Sequence, residues 1–208
     1  MFSRASLNLL LVLACAVTLP GCDRQAPAPA QATGSVQGSA QGADRGGAAA
    51  PGEADRSDAG SELPALTFRD PAGRVLDLRA LKGTPILLNL WATWCAPCVK
   101  EMPQLDMLAA EYDGRLAIVT VSQDIGGATA VAPFFARTKL ERLQPWLDPE
   151  NRLTAALDAG QLPTTVLYDG QGREIWRVAG PLDWEGEEAA ALIEEGLGSP
   201  TDAAGPAR

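Results

Sequence analysis

The chain is best understood from one segment, which reads Pro85-Ile86-Leu87-Leu88-Asn89-Leu90-Trp91-Ala92-Thr93-Trp94-Cys95-Ala96-Pro97-Cys98. Its first half is an almost continuous apolar run, which predicts a strand over Pro85–Trp91 that is buried on both faces of a central sheet. Its second half ends in two cysteines separated by two residues, and a stretch with helical periodicity follows. Two thiols at this spacing either close into a small disulfide or meet at one metal ion. The pattern alone leaves both kinds of site open.

The overall composition removes several classes of chemistry. The 208 residues are 46% hydrophobic, enough for the core of one ordinary domain with a tail, and carry a formal net charge of −9. That acidic balance makes nucleic-acid backbones and anionic membrane surfaces poor partners, so we expect no nucleic-acid ligand. The sequence contains no histidine. Histidine acid–base catalysis, Cys–His nucleophilic pairs and histidine metal ligands are therefore excluded.

The cysteines fall into two groups. Cys15 and Cys22 belong to the N-terminal apolar segment or its end, whereas Cys95 and Cys98 belong to the folded part. A structural zinc ion needs four nitrogen or sulfur ligands. After processing, the domain keeps two cysteines and has no histidine, so a monomer cannot build a zinc site, and none of the candidate site residues is assigned as a metal ligand.

The first 62 residues are predicted to be an export signal followed by a tether. Arg4 and the apolar run from Leu7 to Leu19 are typical of a signal peptide over residues 1–21, and the run is shorter than the roughly 20 residues of a membrane-spanning helix. Residues 22–62 are rich in Ala, Gly, Pro and Gln. They lack the large apolar side chains whose burial would offset ordering entropy, which predicts a disordered tether.

The end of the signal resembles a bacterial lipobox. Leu19-Pro20-Gly21-Cys22 matches that motif, whose cysteine is lipidated and becomes the mature N-terminus, and Asp23 resembles the signal that retains Gram-negative lipoproteins at the inner membrane. The resemblance implies an exported domain that is lipid-anchored through Cys22 on the periplasmic face of the inner membrane. A plain secretory signal or an uncut anchor is the alternative. Either way, the remaining cysteine pair would face an oxidising environment.

Residues 63–198 are predicted to fold as one α/β domain, and residues 199–208 to form a disordered tail. The predicted strands are Leu63–Phe68, Val75–Leu78, Pro85–Trp91, Leu116–Val121, Leu143–Leu147, Thr165–Tyr168 and Glu174–Ala179. Helices are predicted directly after Cys98 and at Ala128–Leu140, Asn151–Leu157 and Asp183–Leu197. Strands that alternate with helices and end in a hairpin and a helix predict a three-layer α/β/α sandwich with a central mixed sheet.

These elements resemble the thioredoxin fold, and more closely its TlpA-like or ResA-like, membrane-tethered branch. The resemblance covers about residues 63–197, with an N-terminal strand extension, and the segment from Ile125 to Gly160 matches the insertion of this branch. The matching motifs are Asn89 to Cys98, Glu101-Met102-Pro103, Leu162-Pro163-Thr164-Thr165 and Gly180-Pro181-Leu182-Asp183-Trp184. The resemblance implies a monomeric thiol:disulfide oxidoreductase whose only redox group is a Cys95–Cys98 disulfide, with no separate cofactor.

The two cysteines have distinct predicted roles. Cys95 should lie just before the first helical turn, where unpaired N–H groups and the helix dipole favour a thiolate, so it is assigned as the attacking nucleophile. Cys98, one turn further on, would resolve the mixed disulfide. Strong oxidases of the superfamily commonly carry a histidine between their cysteines, whereas here Ala96 and Pro97 stand there. That difference favours a reductase.

The resemblance also implies a surface for client proteins. It places a cis Pro163 opposite the dithiol, where the backbone before it can pair with an extended client segment. A turn proline is the alternative. The residues assigned to this surface are Trp94, Ala96, Pro97, Leu162, Pro163 and Thr164.

Glu101 is the remaining candidate site residue. In TlpA-like and ResA-like proteins an acidic residue at this place lies near the dithiol, where a negative charge raises a thiol pKa and can relay protons. The alternative is a solvated helix carboxylate.

We therefore interpret the chain as an extracytoplasmic thiol:disulfide reductase that a membrane thiol reductant recharges. By resemblance, its clients would be cysteine pairs in cytochrome c or copper-site maturation. A disulfide oxidase or isomerase is the nearest alternative. A copper-binding assembly protein using the CxxC motif is less favoured, because the site lacks the extra histidine of thioredoxin-like copper-inserting proteins and has no methionine beside Cys95.

Overall fold

Eight strands between residues 49 and 198 form one sheet at the centre of the domain. The computed structural model describes residues 49–198; the predicted signal peptide, Cys22, most of the tether and the tail at 199–208 lie outside the described residues. The strands are β1 Ala54–Asp55, β2 Thr67–Arg69, β3 Val75–Asp77, β4 Ile86–Trp91, β5 Ala117–Ser122, β6 Trp146–Leu147, β7 Thr164–Tyr168 and β8 Glu174–Ala179. Their order across the sheet is β1-β8-β7-β4-β5-β6-β2-β3.

The sheet is mixed, as predicted. β4 lies at its centre, parallel to β5 on one side and antiparallel to β7 on the other. All six residues of β4 are buried, which explains why this strand, apart from Asn89, is an apolar run rather than an alternating one. The helices are α1 Ala96–Glu111, α2 Ala128–Thr138, α3 Arg152–Ala156 and α4 Glu187–Leu197, and a 3₁₀ turn covers Leu78–Leu81.

Two apolar clusters cover the two faces of the sheet. Leu87 and Trp91 of β4 point to one face, where buried residues of α1, α2 and α4 pack. Ile86, Leu88 and Leu90 point to the other face, where they share a cluster with buried residues of the 3₁₀ turn and α3 and with Phe68 of β2. Successive residues of a strand alternate between faces, so β4 supplies both cores. The three-layer α/β/α arrangement is confirmed.

The predicted boundary between tether and domain is wrong. Residues 52–62, expected in the tether, run antiparallel along β8 and include β1. Gly52 N–H donates to Ala179 O at 2.9 Å, and Gly60 N–H donates to Glu174 O at 2.8 Å. Ion pairs add to this, since Arg56 contacts Glu195 at 2.7 Å. Backbone pairing and charge hold this segment, so its lack of large apolar side chains was a misleading signal.

Most other bounds differ from prediction by a few residues, for local reasons. The strand predicted at Leu63–Phe68 is observed only at Thr67–Arg69, because Pro64 has no N–H to give to a ladder and its carbonyl accepts from Leu66 N–H at 2.8 Å in a local turn. The last helix begins at Glu187 rather than Asp183, since Gly186 N–H donates to Asp183 O at 3.0 Å in a preceding turn.

Candidate active site

The cysteine pair lies where β4 passes into α1. Cys95 is the N-cap of α1, with extended backbone angles, and Pro97 occupies the first turn, where its missing N–H leaves no partner unsatisfied. Cys95 and Cys98 form a disulfide with 5.3 Å between their Cα atoms. Cys98 N–H donates to Cys95 Sγ at 3.3 Å. The helix N-terminus therefore points a donor at the sulfur that was expected to carry the thiolate.

Exposure distinguishes the two sulfurs further. Cys95 is 6% exposed and Cys98 is 1% exposed, so an incoming disulfide has better access to Cys95. Ala96 and Pro97, between them, are both exposed. The geometry is thus compatible with Cys95 as nucleophile and Cys98 as resolving residue.

The Leu162–Pro163 peptide bond is cis. Pro163 is buried, its carbonyl oxygen accepts from Gly180 N–H at 2.9 Å, and the Thr164 hydroxyl donates to Gln161 O at 2.8 Å. β7 begins at Thr164, directly opposite Leu90 near the end of β4. The proline loop and the cysteine loop thus leave the sheet at the same end. Leu162 packs against the apolar cluster that contains both cysteines.

Glu101 is buried inside α1, so the solvated-carboxylate alternative is wrong. It is 4% exposed, and its Oε1 accepts from Leu182 N–H at 2.7 Å. Its Oε2 and the indole Nε1 of Trp184 are buried without hydrogen-bond partners. Burial raises the pKa of the Glu101 carboxyl from 4.5 to about 7. The hydrogen bond from Leu182 N–H favours the ionised form and so lowers this pKa in part, and the nearby indole N–H of Trp184 acts in the same direction.

A second buried carboxylate fixes the loop before Cys95, and sequence reasoning missed it. Asp124 is 3% exposed and follows β5. It accepts from Thr93 N–H at 2.9 Å, from the Thr93 hydroxyl at 2.6 Å and from the Ser122 hydroxyl at 2.8 Å. We call this set the Asp124 clamp. Parallel strands β4 and β5 end side by side, so the polar pair Ser122 and Asp124 next to Thr93 was the available signal.

Two pockets begin at the residues that flank the cysteines. The first, here called the Trp94 pocket, has a volume of ≈ 360 Å³ and is lined by Trp94, Gln123, Asn151, Thr154 and residues 159–162. The second, the Glu101 pocket, has a volume of ≈ 350 Å³ and is lined by Pro97, Lys100, Glu101, Gln104, residues 181–183 and Glu185. Trp94 itself is 70% exposed. It therefore presents its ring to solvent beside the disulfide.

Neither a cluster of metal ligands nor a membrane-spanning helix is found among residues 49–198. Across residues 49–198, the Cys, Asp and Glu side chains do not gather in groups of three or more that could hold a metal ion. Over the same range no helix combines the length and apolarity that crossing a bilayer requires.

Comparison with known proteins places this site in a family. The Redoxin family matches residues 58–193. A thiol-disulfide oxidoreductase ResA of Bacillus cereus is 28% identical over 121 residues, which cover 58% of this chain and 69% of that protein.

Solved structures give the same result for the fold. A Chlorobium tepidum protein assigned as a thiol:disulfide interchange protein DsbE has a TM-score of 0.62 and 25% identity, over 68% of this chain and 99% of that one. The exposed lipoprotein thioredoxin Etrx1 of Streptococcus pneumoniae has a TM-score of 0.52 and 22% identity, over 62% and 98% of the two chains. With its Cys95–Cys98 disulfide, the chain belongs to the Redoxin family, as a ResA/TlpA-like thiol:disulfide oxidoreductase of the thioredoxin superfamily.

Proposed function

We propose that this oxidoreductase is an extracytoplasmic reductase of client disulfides. One observation carries the proposal: Cys95 caps α1 with its sulfur facing the Cys98 N–H, while Ala96 and Pro97 place neither charge nor imidazole between the thiols. A donor N–H and the helix dipole stabilise a thiolate at Cys95. Without a further cation between the cysteines that stabilisation is moderate, which favours giving electrons over taking them.

The reaction proceeds by two exchanges. The Cys95 thiolate attacks one sulfur of the client disulfide; the client S–S bond breaks, a Cys95–client disulfide forms, and the other client sulfur leaves as a thiolate that takes up a proton. The Cys98 thiol then loses its proton and attacks Cys95 Sγ, releasing the second client thiolate. The client gains two electrons and the Cys95–Cys98 disulfide forms. A dithiol reductant at the membrane would return the pair to the reduced state.

Glu101 is proposed as the proton acceptor that serves this dithiol. It lies one turn beyond Cys98 in α1, and its pKa of about 7 lets it take and return protons near neutral pH. A carboxyl group with an ordinary pKa would stay ionised near neutral pH and could not hold the proton that it has to return. The cis Pro163 loop, together with Trp94, Ala96, Pro97, Leu162 and Thr164, is proposed to hold the client segment.

The proposed location is the periplasmic face of the inner membrane, with a lipid on Cys22. The lipobox-like sequence and the apolar run before it support the proposal. Cytochrome c or copper-site assembly proteins with cysteine pairs are the proposed clients. Mass spectrometry of the exported protein tests the anchor. An N-terminus at Cys22 with attached acyl chains is expected, and an unlipidated N-terminus elsewhere contradicts it.

Cysteine variants and a redox titration test the activity. Cys95→Ser should abolish dithiothreitol-driven reduction of a protein disulfide, and Cys98→Ser should accumulate a mixed disulfide with the client. Retained activity in Cys95→Ser would make the nucleophile assignment wrong. The potential of the pair should lie nearer to the roughly −270 mV of thioredoxin than to the roughly −120 mV of strong oxidants. A value near the latter would reverse the proposed direction.

A further inference from the structure

The Trp94 pocket is formed partly by the insertion. Its walls are Trp94 before the reactive cysteine, Gln123 after β5, Asn151 and Thr154 at α3, and the 159–162 loop that leads to Pro163. A volume of ≈ 360 Å³ is in the range of small ligand pockets and holds one large side chain. Only the cysteine loop and the proline loop belong to the motifs of the thioredoxin resemblance. The remaining wall is contributed by residues to which the sequence assigned no role.

The walls carry no charged side chain, and some of their polar atoms are already satisfied. The Gln123 amide nitrogen donates to Val121 O at 3.3 Å, and its amide oxygen accepts from the Thr154 hydroxyl at 2.8 Å. Asn151 Nδ2 donates to Pro149 O at 3.4 Å. A side chain bound in this pocket would contact the Trp94 ring, the Leu162 side chain and backbone atoms, and would meet no charged side chain. Moving a charged group there would cost desolvation without a partner.

The pocket begins next to the disulfide, and this position indicates which kind of molecule would fill it. One wall of the pocket is Trp94, the neighbour of Cys95, and another is Leu162, the neighbour of the cis proline. A polypeptide whose sulfur reaches Cys95 therefore places the side chain next to its cysteine at the mouth of this pocket.

We propose that the Trp94 pocket binds a large uncharged side chain, aromatic or aliphatic, adjacent to the reactive cysteine of the client. The proposal rests on the proposed function and specifies which clients it acts on. Contact with the exposed ring of Trp94 and release of water from the pocket supply the selectivity.

Rates of mixed-disulfide formation test the proposal directly. The full chain carrying Cys98→Ser, with Cys15→Ser and Cys22→Ser so that Cys95 is its one thiol, is mixed with short peptides whose single cysteine is disulfide-bonded to thionitrobenzoate. Cys95 attacks the peptide sulfur, one S–S bond breaks, one forms, and the coloured thionitrobenzoate anion leaves. The residue beside the peptide cysteine is Trp, Leu, Ser, Asp or Lys, on either side. The Trp and Leu peptides should react about tenfold faster than the Ser, Asp and Lys peptides.

Two substitutions in the Cys98→Ser protein should remove or redirect this preference. Gly160→Leu should fill the pocket, because a Cβ at Gly160 meets no atom within 4 Å and its backbone is not left-handed; the Trp and Leu advantage should fall to twofold or less. Asn151→Asp is nearly isosteric and puts a negative charge in the wall, so the Lys peptide should gain at least fivefold over the Asp peptide. Ala155→Leu, exposed on α3 outside the pocket, is the matched control.

A small probe without a flanking residue distinguishes this proposal from the proposed function. The mixed disulfide of mercaptoethanol and thionitrobenzoate should react equally fast with the Cys98→Ser protein and with its Ala155→Leu control, because the sulfur that Cys95 attacks carries only a hydroxyethyl chain and no neighbouring residue to place in the pocket. Slow reaction with the unsubstituted Cys98→Ser protein would count against Cys95 as nucleophile. Normal reaction with that probe but equal rates for all five peptides overturns the pocket proposal. A preference that survives both Gly160→Leu and Asn151→Asp also overturns it.

Discussion

The Trp94 pocket and the Glu101 pocket have nearly equal volumes, ≈ 360 and ≈ 350 Å³, and begin at residues on either side of the same cysteine loop. Their chemistry differs. The Trp94 pocket has uncharged walls around an exposed ring, whereas the Glu101 pocket has Lys100, Asp183 and Glu185 around a buried carboxyl. The first suits recognition of an apolar side chain, and the second suits proton transfer and attracts basic groups. The difference suggests that selectivity and proton handling are separated in space.

The largest expected effect concerns the buried carboxyl of the Glu101 pocket. Folding raises the Glu101 pKa from 4.5 to about 7, so between these pH values the folded protein binds more protons than the unfolded chain, and stability falls as pH rises. Below pH 4.5 the buried carboxyl therefore does not lower the free energy of unfolding. Above pH 7 it lowers the free energy of unfolding by about 3 kcal/mol. In Glu101→Gln that contribution should vanish.

Denaturant unfolding of the oxidised protein at pH 4.5 and pH 8 measures this effect. Glu101→Gln should match the parent protein at the lower pH and exceed it at the higher. Glu111→Gln, exposed at the end of the same helix, is the control and should change neither value. Equal pH slopes for Glu101→Gln and the parent would show that burial does not shift this carboxyl.

The second effect concerns the Asp124 clamp, which supports the loop that carries Trp94. Asp124→Asn replaces an acceptor of three hydrogen bonds by a group with one acceptor oxygen and an unwanted donor. We expect a loss of about 2 kcal/mol in unfolding free energy. Asp113→Asn, an exposed surface change, should cost less than about 0.5 kcal/mol. Urea unfolding compares the two variants. Equal losses of unfolding free energy would show that the hydrogen bonds of the Asp124 clamp do not stabilise the protein more than a surface carboxylate does.

The third effect concerns the ring at the mouth of the Trp94 pocket. Trp94 is 70% exposed, so Trp94→Ala should change stability by less than about 0.5 kcal/mol. Reduction of a client disulfide flanked by an apolar residue should nevertheless slow roughly tenfold, the usual scale for loss of a central aromatic contact. Met107→Ala, 53% exposed and outside both pockets, should leave that rate unchanged. Equal rates for the two variants would mean that Trp94 does not contact clients.

The smallest effect concerns the charge of the Glu101 pocket. Glu185→Gln removes one exposed carboxylate from its wall. Mixed-disulfide formation with a Lys-flanked peptide should slow roughly twofold at low ionic strength, and the difference should disappear in about 1 M salt because of screening. The Ser-flanked peptide serves as the uncharged control. A salt-independent difference would point to a change of shape instead.

The sequence was most informative where one local pattern determined the structure. The apolar run of β4 predicted the central strand, and the cysteine spacing with Pro97 predicted a helix start with Cys95 at its cap. The motif at Leu162-Pro163 predicted the cis bond only through family resemblance, since either isomer suits a turn.

Features that depend on contacts between distant segments could not be predicted. Glu101 is buried because the 180–184 segment packs over it, some 80 residues further along the chain. The Asp124 clamp joins residues 31 apart. The Trp94 pocket forms only where four separate segments of the chain meet. The sequence around Asn151 and Gly160 carries no pattern that places these residues beside Trp94.

The pairing of residues 52–62 with β8 has a consequence for handling the protein. The outer side of β8 is the kind of open sheet edge that recruits a strand from another molecule. Gly52, Gly60 and Ser61 occupy its backbone groups from Ala179 to Glu174, and Leu63 N–H continues the contact to Gly172 O at 2.8 Å. A chain shortened to begin at Leu63 would uncover that edge and invite edge-to-edge aggregation. By occupying this edge, residues 52–62 protect the domain from pairing with a second molecule.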